Sequence, residues 1–277
     1  MKKEYLENFL NELLDESIIG DSLETGFHDL DETLFGNRVG SLIVIGGRPA
    51  MGKTTFMTSL AENLLKQNKS CLFLTLERTS QDMMEKILTQ YCEIHYIEKH
   101  TDLFLDSSKD KLRSAIKDFE KYNLEIADNC FTPKNILEKI SNSSCKNVFI
   151  DYLQLINFDE NKVRQEEVNK FLFELKQLAL EKNKFIFISS QISRALEKRS
   201  DKHPLLIDLK DSYSLEDIAD VVLLIYREAY YNLENNWRDE GEIIVAKNKK
   251  GPTVSVSIGF NFSIPKFFSN ANREESF

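Results

Sequence analysis

Apolar residues recur along the chain in short continuous runs that alternate with longer stretches of mixed polarity. Five of these runs are expected to form buried strands, at residues 41–45, 71–76, 146–151, 185–188 and 221–226. Helical spacing predicts helices at about 53–67, 80–96, 108–121 and 164–182, and a short helix that opens at Pro133. Buried strands separated by helices favour an α/β fold, with a mostly parallel twisted sheet covered by helices on both faces.

The pattern changes towards the C-terminus. Residues 242–247 and 253–260 predict two further strands, which we expect to be antiparallel, and residues 194–216 are polar and expected to be rich in loops. We therefore expect one main domain over residues 23–268, followed by a tail at 269–277.

Residues 1–22 predict a separate amphipathic segment. Its apolar residues stand at helical spacing among acidic ones, and Gly20 ends the pattern: Leu6, Phe9, Leu10, Leu13 and Leu14. Such a helix can fold onto its own domain or dock on a neighbouring subunit. One apolar stripe does not distinguish the two.

Composition excludes several classes of protein. The 277 residues include 42% hydrophobic ones, enough for a sizeable core without disulfides or metals. The four cysteines are scattered without a C-x-x-C pair, which argues against a zinc site or a disulfide framework. The first residues lack the apolar stretch expected of a signal peptide, and the apolar runs are too short to span a bilayer. We expect a cytoplasmic protein that does not bind membranes.

The net charge of −9 is concentrated at the N-terminus. Residues 1–36 hold ten acidic side chains against two lysines, so the rest of the chain is close to neutral. A near-neutral domain can still hold a nucleic-acid strand through a few basic side chains. Charge alone neither supports nor excludes DNA binding.

The strongest motif follows the first predicted strand. Residues 47–54 match G-x-x-x-x-G-K-[ST], between a strand and a helix as a phosphate-binding loop requires. Backbone N–H groups and the helix N-terminus would surround the phosphates, Lys53 would reach the β- and γ-phosphates, and Thr54 would hold Mg²⁺. The expected ATP-binding residues are Gly47, Arg48, Pro49, Ala50, Met51, Gly52, Lys53, Thr54 and Thr55.

Three polar residues at the ends of other predicted strands complete a candidate site. Asp151 ends a buried strand, where an aspartate can orient a magnesium ion. Glu77 is a candidate general base for the attacking water, or else a solvated turn residue. Gln191 is a candidate sensor of the γ-phosphate, or else simply a polar residue leaving the sheet.

Across residues 23–268 the chain resembles the RecA-like motor domain of DnaB-type replicative helicases. The resemblance rests on Thr25–Asp31, Gly47–Pro49, Leu76–Glu77, Ile150–Ile156, Ser190–Arg194, Asp217–Asp220, Tyr226–Arg227, Ala246–Lys247 and Gly251–Pro252. Asp-Tyr-Leu-Gln-Leu-Ile at 151–156 is the most specific of these. The resemblance implies that Glu77 is the catalytic base and that Gln191 senses the γ-phosphate.

The resemblance also implies a ring of six subunits with ATP bound between neighbours. Two residues that reach the neighbour's γ-phosphate correspond to Lys247 and Lys249. Lys249 stands where the family has an arginine finger, and an ammonium lacks the two-pronged donor geometry of a guanidinium. A solvated turn remains the alternative for these lysines.

The expected nucleic-acid contacts are less typical of the family. The family's Arg-Glu-Ser-Gly-Ser loop here reads Lys-Asp-Ser-Tyr-Ser at 210–214, which removes the glycine that permits close backbone approach. Tyr213 could stack on a base instead. The candidate contacts are Arg164, Arg194, Lys210 and Tyr213.

Two functions of different classes follow. The first, which the resemblance implies, is an ATP-driven helicase expected to translocate 5′–3′ on single-stranded DNA, with a helicase loader or primase as a further partner. The second is a nucleotide-switched adaptor with little or no unwinding, suggested by Lys249 and the altered loop. A recombinase- or clock-type relative on the same fold fits residues 151–156 less well. The short segment before the motor indicates either a natural relative without the primase-binding domain or a motor domain with its own methionine.

Overall fold

The computed structural model describes residues 22–95, 106–210, 212–232 and 240–270. Within these residues one nine-stranded sheet forms the centre of the molecule. Its strands are β1 Leu42–Gly47, β2 Cys71–Thr75, β3 Leu124–Ala127, β4 Asn147–Asp151, β5 Phe185–Gln191, β6 Val221–Tyr226, β7 Glu240–Asn248, β8 Ser255–Asn261 and β9 Lys266–Phe268.

Helices connect the strands and cover the sheet. The α-helices in the described ranges are α1 His28–Leu34, α2 Lys53–Lys66, α3 Ser80–Tyr91, α4 Asp106–Phe119, α5 Pro133–Asn142, α6 Arg164–Glu181, α7 Ser212–Ile218 and α8 Glu228–Tyr231. Thr79 and Thr132 cap α3 and α5, since each hydroxyl accepts a hydrogen bond from a backbone N–H of the first turn.

The strand order is β3-β2-β4-β5-β1-β6-β7-β8-β9. The first six strands of this order run parallel, and the pairs β6–β7, β7–β8 and β8–β9 are antiparallel. This arrangement confirms the predicted α/β class, mostly parallel with antiparallel strands towards the C-terminus.

The sheet separates two hydrophobic cores. A row of aromatic rings crosses three adjacent strands in one of them, with centroids 5.4 Å apart for Phe73 and Phe149 and 4.8 Å apart for Phe149 and Phe187. All three rings are fully buried. Because adjacent parallel strands place equivalent positions side by side, this stack fixes the relative register of β2, β4 and β5.

The Thr25–Asp31 motif has a structural role at the edge of the first core. The Asp31 carboxylate accepts hydrogen bonds from the Thr25 hydroxyl at 2.6 Å and from the Gly26 N–H at 2.9 Å. Asn63 of α2 donates to the Thr25 carbonyl at 3.1 Å, and a Cβ on Gly26 would lie 2.7 Å from its side chain. The motif therefore anchors the segment before β1 to the helix that follows it.

Several local details differ from the predictions. Besides loops, residues 194–216 contain two 3-10 turns, at Arg194–Lys198 and Leu206–Asp208, and the start of α7. Helix α3 ends at Tyr91 rather than near 96, and neither α1 nor β9 was predicted. The two 3-10 turns, α1 and β9 are each three to seven residues long, which is too short for apolar periodicity to reveal them.

The predicted N-terminal helix at 1–22 lies outside the described residues except for Ser22, and the predicted tail at 269–277 is described only to Asn270. Among the helices of the described ranges, each is too short or too polar to cross a bilayer.

Truncating the middle ring of the aromatic row is expected to destabilise the whole domain. Phe149→Ala should lower the free energy of unfolding by about 3–5 kcal/mol, because the neighbours on both sides lose contacts and a cavity remains. Urea unfolding followed by circular dichroism measures the loss. Phe173→Ala on α6 is the control, since Phe173 is 57% exposed and should cost under about 0.5 kcal/mol. Equal losses in the two variants would contradict the assigned core.

Candidate functional site

Four polar segments meet at one edge of the sheet. The neighbouring strands β2, β4, β5 and β1 run parallel, so the residues that follow them lie at the same edge. The register places Thr75 beside Asp151 and Gly47 beside Gln191. Such an edge is where α/β sheets bind ligands.

The loop between β1 and α2 has the backbone of a phosphate-binding loop. Gly52 adopts φ +100°, a conformation that favours glycine, and Ala50 has φ +62°. The turn delivers the chain into α2 at Lys53, so the N–H groups of the first helical turn face the cleft without intrahelical partners.

Lys53 lies folded back over this loop. Its ammonium donates to the carbonyl oxygens of Gly47 at 2.9 Å and Arg48 at 3.2 Å. Burial lowers the pKa of Lys53 to about 8, although the charges of Asp151 and Glu77 act in the opposite direction. A desolvated cation held beside a ring of N–H donors favours an anionic ligand.

Asp151 connects the loop to the sheet. Its carboxylate accepts one hydrogen bond from the Thr54 hydroxyl at 2.6 Å and another from Ser189 of β5 at 2.6 Å. The Asp151 side chain is almost fully buried. The contact places a hydroxyl and a carboxylate oxygen together, which are the ligand types that hard divalent cations prefer.

The cleft has a volume of about 350 Å³. Of the predicted nucleotide residues, its lining includes Pro49, Ala50, Gly52, Lys53, Thr54, Thr55, Asp151, Glu77 and Gln191. Glu77 is exposed at the rim. The structure thus brings together the three strand-end residues and the loop that the sequence singled out.

Two residues of the predicted loop direct their side chains elsewhere. The Arg48 guanidinium donates to Glu197 at 2.8 Å and to the Ile192 carbonyl at 3.0 Å. The Met51 side chain is buried in the core. Both residues can contribute to the loop through their backbone.

Gln191 is held by its neighbours on both sides. Its backbone N–H donates to the Gln154 carboxamide oxygen at 3.0 Å, and Gln154 in turn donates to Ser190 at 2.9 Å. The Lys210 ammonium donates to the Gln191 side-chain oxygen at 3.1 Å. Gln154 of the Asp151–Ile156 motif therefore links the segment after β4 to the end of β5 by hydrogen bonds.

The structure adds lining residues that the sequence reading missed. Lys86 of α3 donates to the Thr55 hydroxyl at 3.2 Å, and burial lowers its pKa to about 8. Lys86 lies about two turns into α3 and belongs to no recognisable sequence motif. Arg78 and Tyr152 line the same cleft.

A second missed feature lies at the far side of the cleft. The Arg227 guanidinium lies 4.0 Å from the centroid of the Phe260 ring, and both residues line the cleft together with Pro265. Arg227 is 94% buried, and its Nε lacks a hydrogen-bond partner within the described residues. The guanidinium also lies 4.9 Å from the Phe262 centroid, so it makes cation–π contacts with two rings beside the cleft.

Lys247 and Lys249 lie away from this cleft, at the C-terminal end of α7. Lys247 donates to the Glu216 carbonyl, and Lys249 donates to the Ile218 carbonyl at 3.3 Å. Lys249 also pairs with the Asp220 carboxylate at 3.2 Å, which holds Lys176 at 2.7 Å. Neither lysine belongs to the described lining of the cleft.

The four candidate nucleic-acid residues lie on different elements. Arg164 begins α6, with its guanidinium 5.2 Å from the Phe158 centroid. Arg194 is exposed at the start of a 3-10 turn. Lys210 contacts Gln191, and Tyr213 lies in the first turn of α7 with its side chain outside the described part of the structure.

Comparison with known proteins shows the same family over nearly the whole chain. Residues 22–269 match the DnaB-like helicase C-terminal domain. The chain is 35% identical over 254 residues to a probable plasmid replicative DNA helicase of Chlamydia psittaci, covering 89% of this chain and 55% of that protein. It is 33% identical over 263 residues to the replicative DNA helicase DnaB of Haemophilus influenzae, covering 91% and 56%.

Solved structures agree. The ATPase domain of G40P superposes with a TM-score of 0.88 at 27% identity, covering 97% of this chain and 98% of that one. A DnaB-like replicative helicase studied with primase gives a TM-score of 0.86 at 28% identity, covering 96% and 66%. The chain spans a little over half the length of the curated relatives above. It belongs to the family of the DnaB-like helicase C-terminal domain, whose members are nucleotide-binding ATPases with a RecA-like fold.

Proposed function

We propose that this chain is the ATP-hydrolysing motor of a cytoplasmic replicative helicase that moves 5′–3′ along single-stranded DNA. The observation that carries the proposal is the hydrogen bond from the Thr54 hydroxyl to the Asp151 carboxylate at 2.6 Å. It brings the last residue of the phosphate-binding loop together with the last residue of β4, in an arrangement suited to a nucleotide with its metal ion.

The residues around this contact fit Mg²⁺. Thr54 would hold the ion through its hydroxyl oxygen, and Asp151 would hold it through its carboxylate. When bound, Mg²⁺ neutralises charge on the phosphate oxygens. Lys53 would leave the carbonyls of Gly47 and Arg48 and move to the β- and γ-phosphates, because the anion offers a stronger acceptor than a backbone carbonyl.

Glu77 is the proposed general base. It lies on the rim of the cleft, exposed to water, while the neighbouring Asp151 is occupied by two hydroxyl donors. A carboxylate on the rim can accept a proton from a water that attacks the γ-phosphate. The Gln191 carboxamide would contact the same phosphate without adding negative charge.

The stacked Arg227 and Phe260 would receive the base of the nucleotide. An unpaired guanidinium nitrogen and an aromatic ring at the far side of the cleft suit a flat heterocycle. This places the phosphates at Lys53 and the base at the antiparallel side of the sheet.

Assembly completes the proposed function. Lys247 and Lys249 lie outside their own cleft, which supports a role at a neighbouring subunit in a ring, expected to be hexameric. Single-stranded DNA, contacted through residues such as Arg164, Arg194 and Tyr213, is the proposed substrate. A primase or a helicase loader is a further proposed partner, since one related structure concerns a DnaB-like helicase and its interactions with primase.

A nucleotide-switched adaptor is the second candidate. The observation that favours it is the pairing of Lys249 with Asp220, which holds the residue at the arginine-finger position against its own subunit. An adaptor predicts tight ATP binding with slow turnover that single-stranded DNA does not stimulate. Robust ATP binding without strand affinity at low salt would favour the adaptor over the helicase.

Removing the proposed base should separate binding from chemistry. We expect Glu77→Gln to reduce the rate of ATP hydrolysis by about 10²–10⁴-fold with little change in ATP affinity, since only proton acceptance is lost. Phosphate release with and without single-stranded DNA measures the rate, and a fluorescent nucleotide measures affinity. Glu138→Gln, an exposed glutamate of α5, is the control. Full activity in Glu77→Gln would exclude the base assignment.

Mixing two inactive variants tests whether Lys249 acts across a subunit boundary. Lys53→Ala removes the lysine that contacts ATP in its own subunit, and Lys249→Ala removes the lysine proposed to contact ATP in the neighbouring subunit. Each variant alone should therefore lose most DNA-stimulated hydrolysis. In a mixed ring, some interfaces combine an intact Lys53 from one variant with an intact Lys249 from the other, so we expect partial recovery of activity on mixing. Lys249→Arg should equal or exceed the parent rate. Lys250→Ala is the neighbouring control, and absence of recovery in assembled mixtures would place Lys249 outside catalysis.

The depressed pKa of Lys53 and Lys86, each about 8, predicts how nucleotide affinity depends on pH. Phosphate favours the protonated lysine and raises its pKa on binding. Below pH 8 both lysines are already charged, so affinity should be flat; above pH 8 binding must take up protons and should weaken by up to about tenfold per unit per lysine. Calorimetry in buffers of different ionisation enthalpy measures the uptake. Constant affinity from pH 7 to 9.5 would contradict this assignment.

A further inference from the structure

Lys210 contacts the predicted γ-phosphate sensor through both its backbone and its side chain. Its N–H donates to the Gln191 carbonyl at 3.0 Å, and its ammonium donates to the Gln191 side-chain oxygen at 3.1 Å. An isolated bridge between Ile192 and Leu209 continues the pairing of these two segments. The end of β5 and the segment before α7 are thus held together at this point.

With the Gln191 backbone held in place, the conformation of its side chain and the orientation of its carboxamide remain free. Its backbone is fixed from three directions, by β1, by the Gln154 side chain and by the Lys210 N–H. The side chain is half-buried and lines the cleft. Rotation of the carboxamide by half a turn would exchange its oxygen and its –NH₂ group with little change in shape.

The chemistry of Lys210 selects one of these orientations. A lysine ammonium is a donor only, so it binds the carboxamide oxygen and leaves the –NH₂ group as the polar end that meets a ligand. A phosphate carries only acceptors. Gln191 can therefore donate to the γ-phosphate in this orientation, whereas the reversed carboxamide would present an oxygen to an anion.

We propose that Lys210 is a positioning residue for ATP recognition, which orients the Gln191 carboxamide so that its –NH₂ group faces the γ-phosphate. This inference rests on the proposed function and names the residue that sets its γ-phosphate specificity. The charge of Lys210 is one of the causes that depress the pKa of Lys53, which supports its closeness to the phosphate site.

The resemblance to the family assigned Lys210 to a DNA-binding loop, and the two assignments have different consequences. A residue that only grips a strand would affect DNA affinity and leave the discrimination between ATP and ADP unchanged. A residue that orients Gln191 would change that discrimination even without DNA, because the γ-phosphate is what distinguishes the two nucleotides.

The experiment measures the affinity of the full chain for AMP-PNP and for ADP, in magnesium buffer without DNA. We expect Lys210→Met to lower the preference for AMP-PNP over ADP by roughly tenfold, the factor of one hydrogen bond to a charged group, with ADP affinity unchanged. Lys210→Arg keeps a donor and should restore the preference. Lys198→Met, at an exposed lysine of the same connection, is the matched control.

A double-mutant cycle gives the decisive comparison. Gln191→Ala should cause the same loss as Lys210→Met, and the double variant should lose no more than either alone, because both act through one contact. Additive losses, or an unchanged preference in Lys210→Met, would overturn the proposal. A parent chain that binds neither nucleotide would instead refute the proposed function, so the two failures are distinguishable.

Discussion

The parallel pairing of β2, β4, β5 and β1 is the constraint on which the site depends. Each strand delivers its last residue to the same edge, and the hydrogen-bonded register fixes which residues become neighbours there. The buried aromatic row beneath the edge keeps that register from slipping. Asp151 can accept from Thr54 on one side and Ser189 on the other because the strands hold it between them. The positions of the side chains at this edge of the sheet therefore depend on packing in the core.

Sequence reasoning singled out most of the residues that line this cleft because they carry strong local signals. A glycine-rich loop between an apolar run and a helix has few alternative interpretations, and Asp151 and Gln191 end runs that are clearly buried. Lys86, in the middle of α3, carried no such signal, and Arg227 was part of the family resemblance without an assigned role. Only tertiary packing brings the two residues to the cleft. A cation that lines a site from the middle of a helix looks, in sequence, like any solvated residue.

The segment between β5 and β6 shows a different limit. Its polar composition predicted loops, yet it contains two 3-10 turns and α7, held by contacts from elsewhere in the chain. Helix α7 lies between two sets of contacts that matter for function. Lys210 binds Gln191 just before the helix, and Lys247 and Lys249 bind the carbonyls at its end. Leu215 of this helix is fully buried in the second hydrophobic core, so core packing as well as the contacts at its two ends holds it in place.

The pairing of Lys249 with Asp220 illustrates why a change of partner by Lys249 is energetically accessible. Lys249 is 41% exposed in this pair, and a partly exposed ion pair contributes only about 0–1 kcal/mol. A hydrogen bond from the same ammonium to a phosphate is worth about 1.5–3 kcal/mol. Asp220 also keeps Lys176 and the Leu42 N–H when Lys249 leaves, so no buried carboxylate is left without a partner. For the proposed role of Lys249 at a neighbouring subunit, exchanging this carboxylate for that subunit's phosphate would therefore be favourable, and Asp220 would keep its other partners.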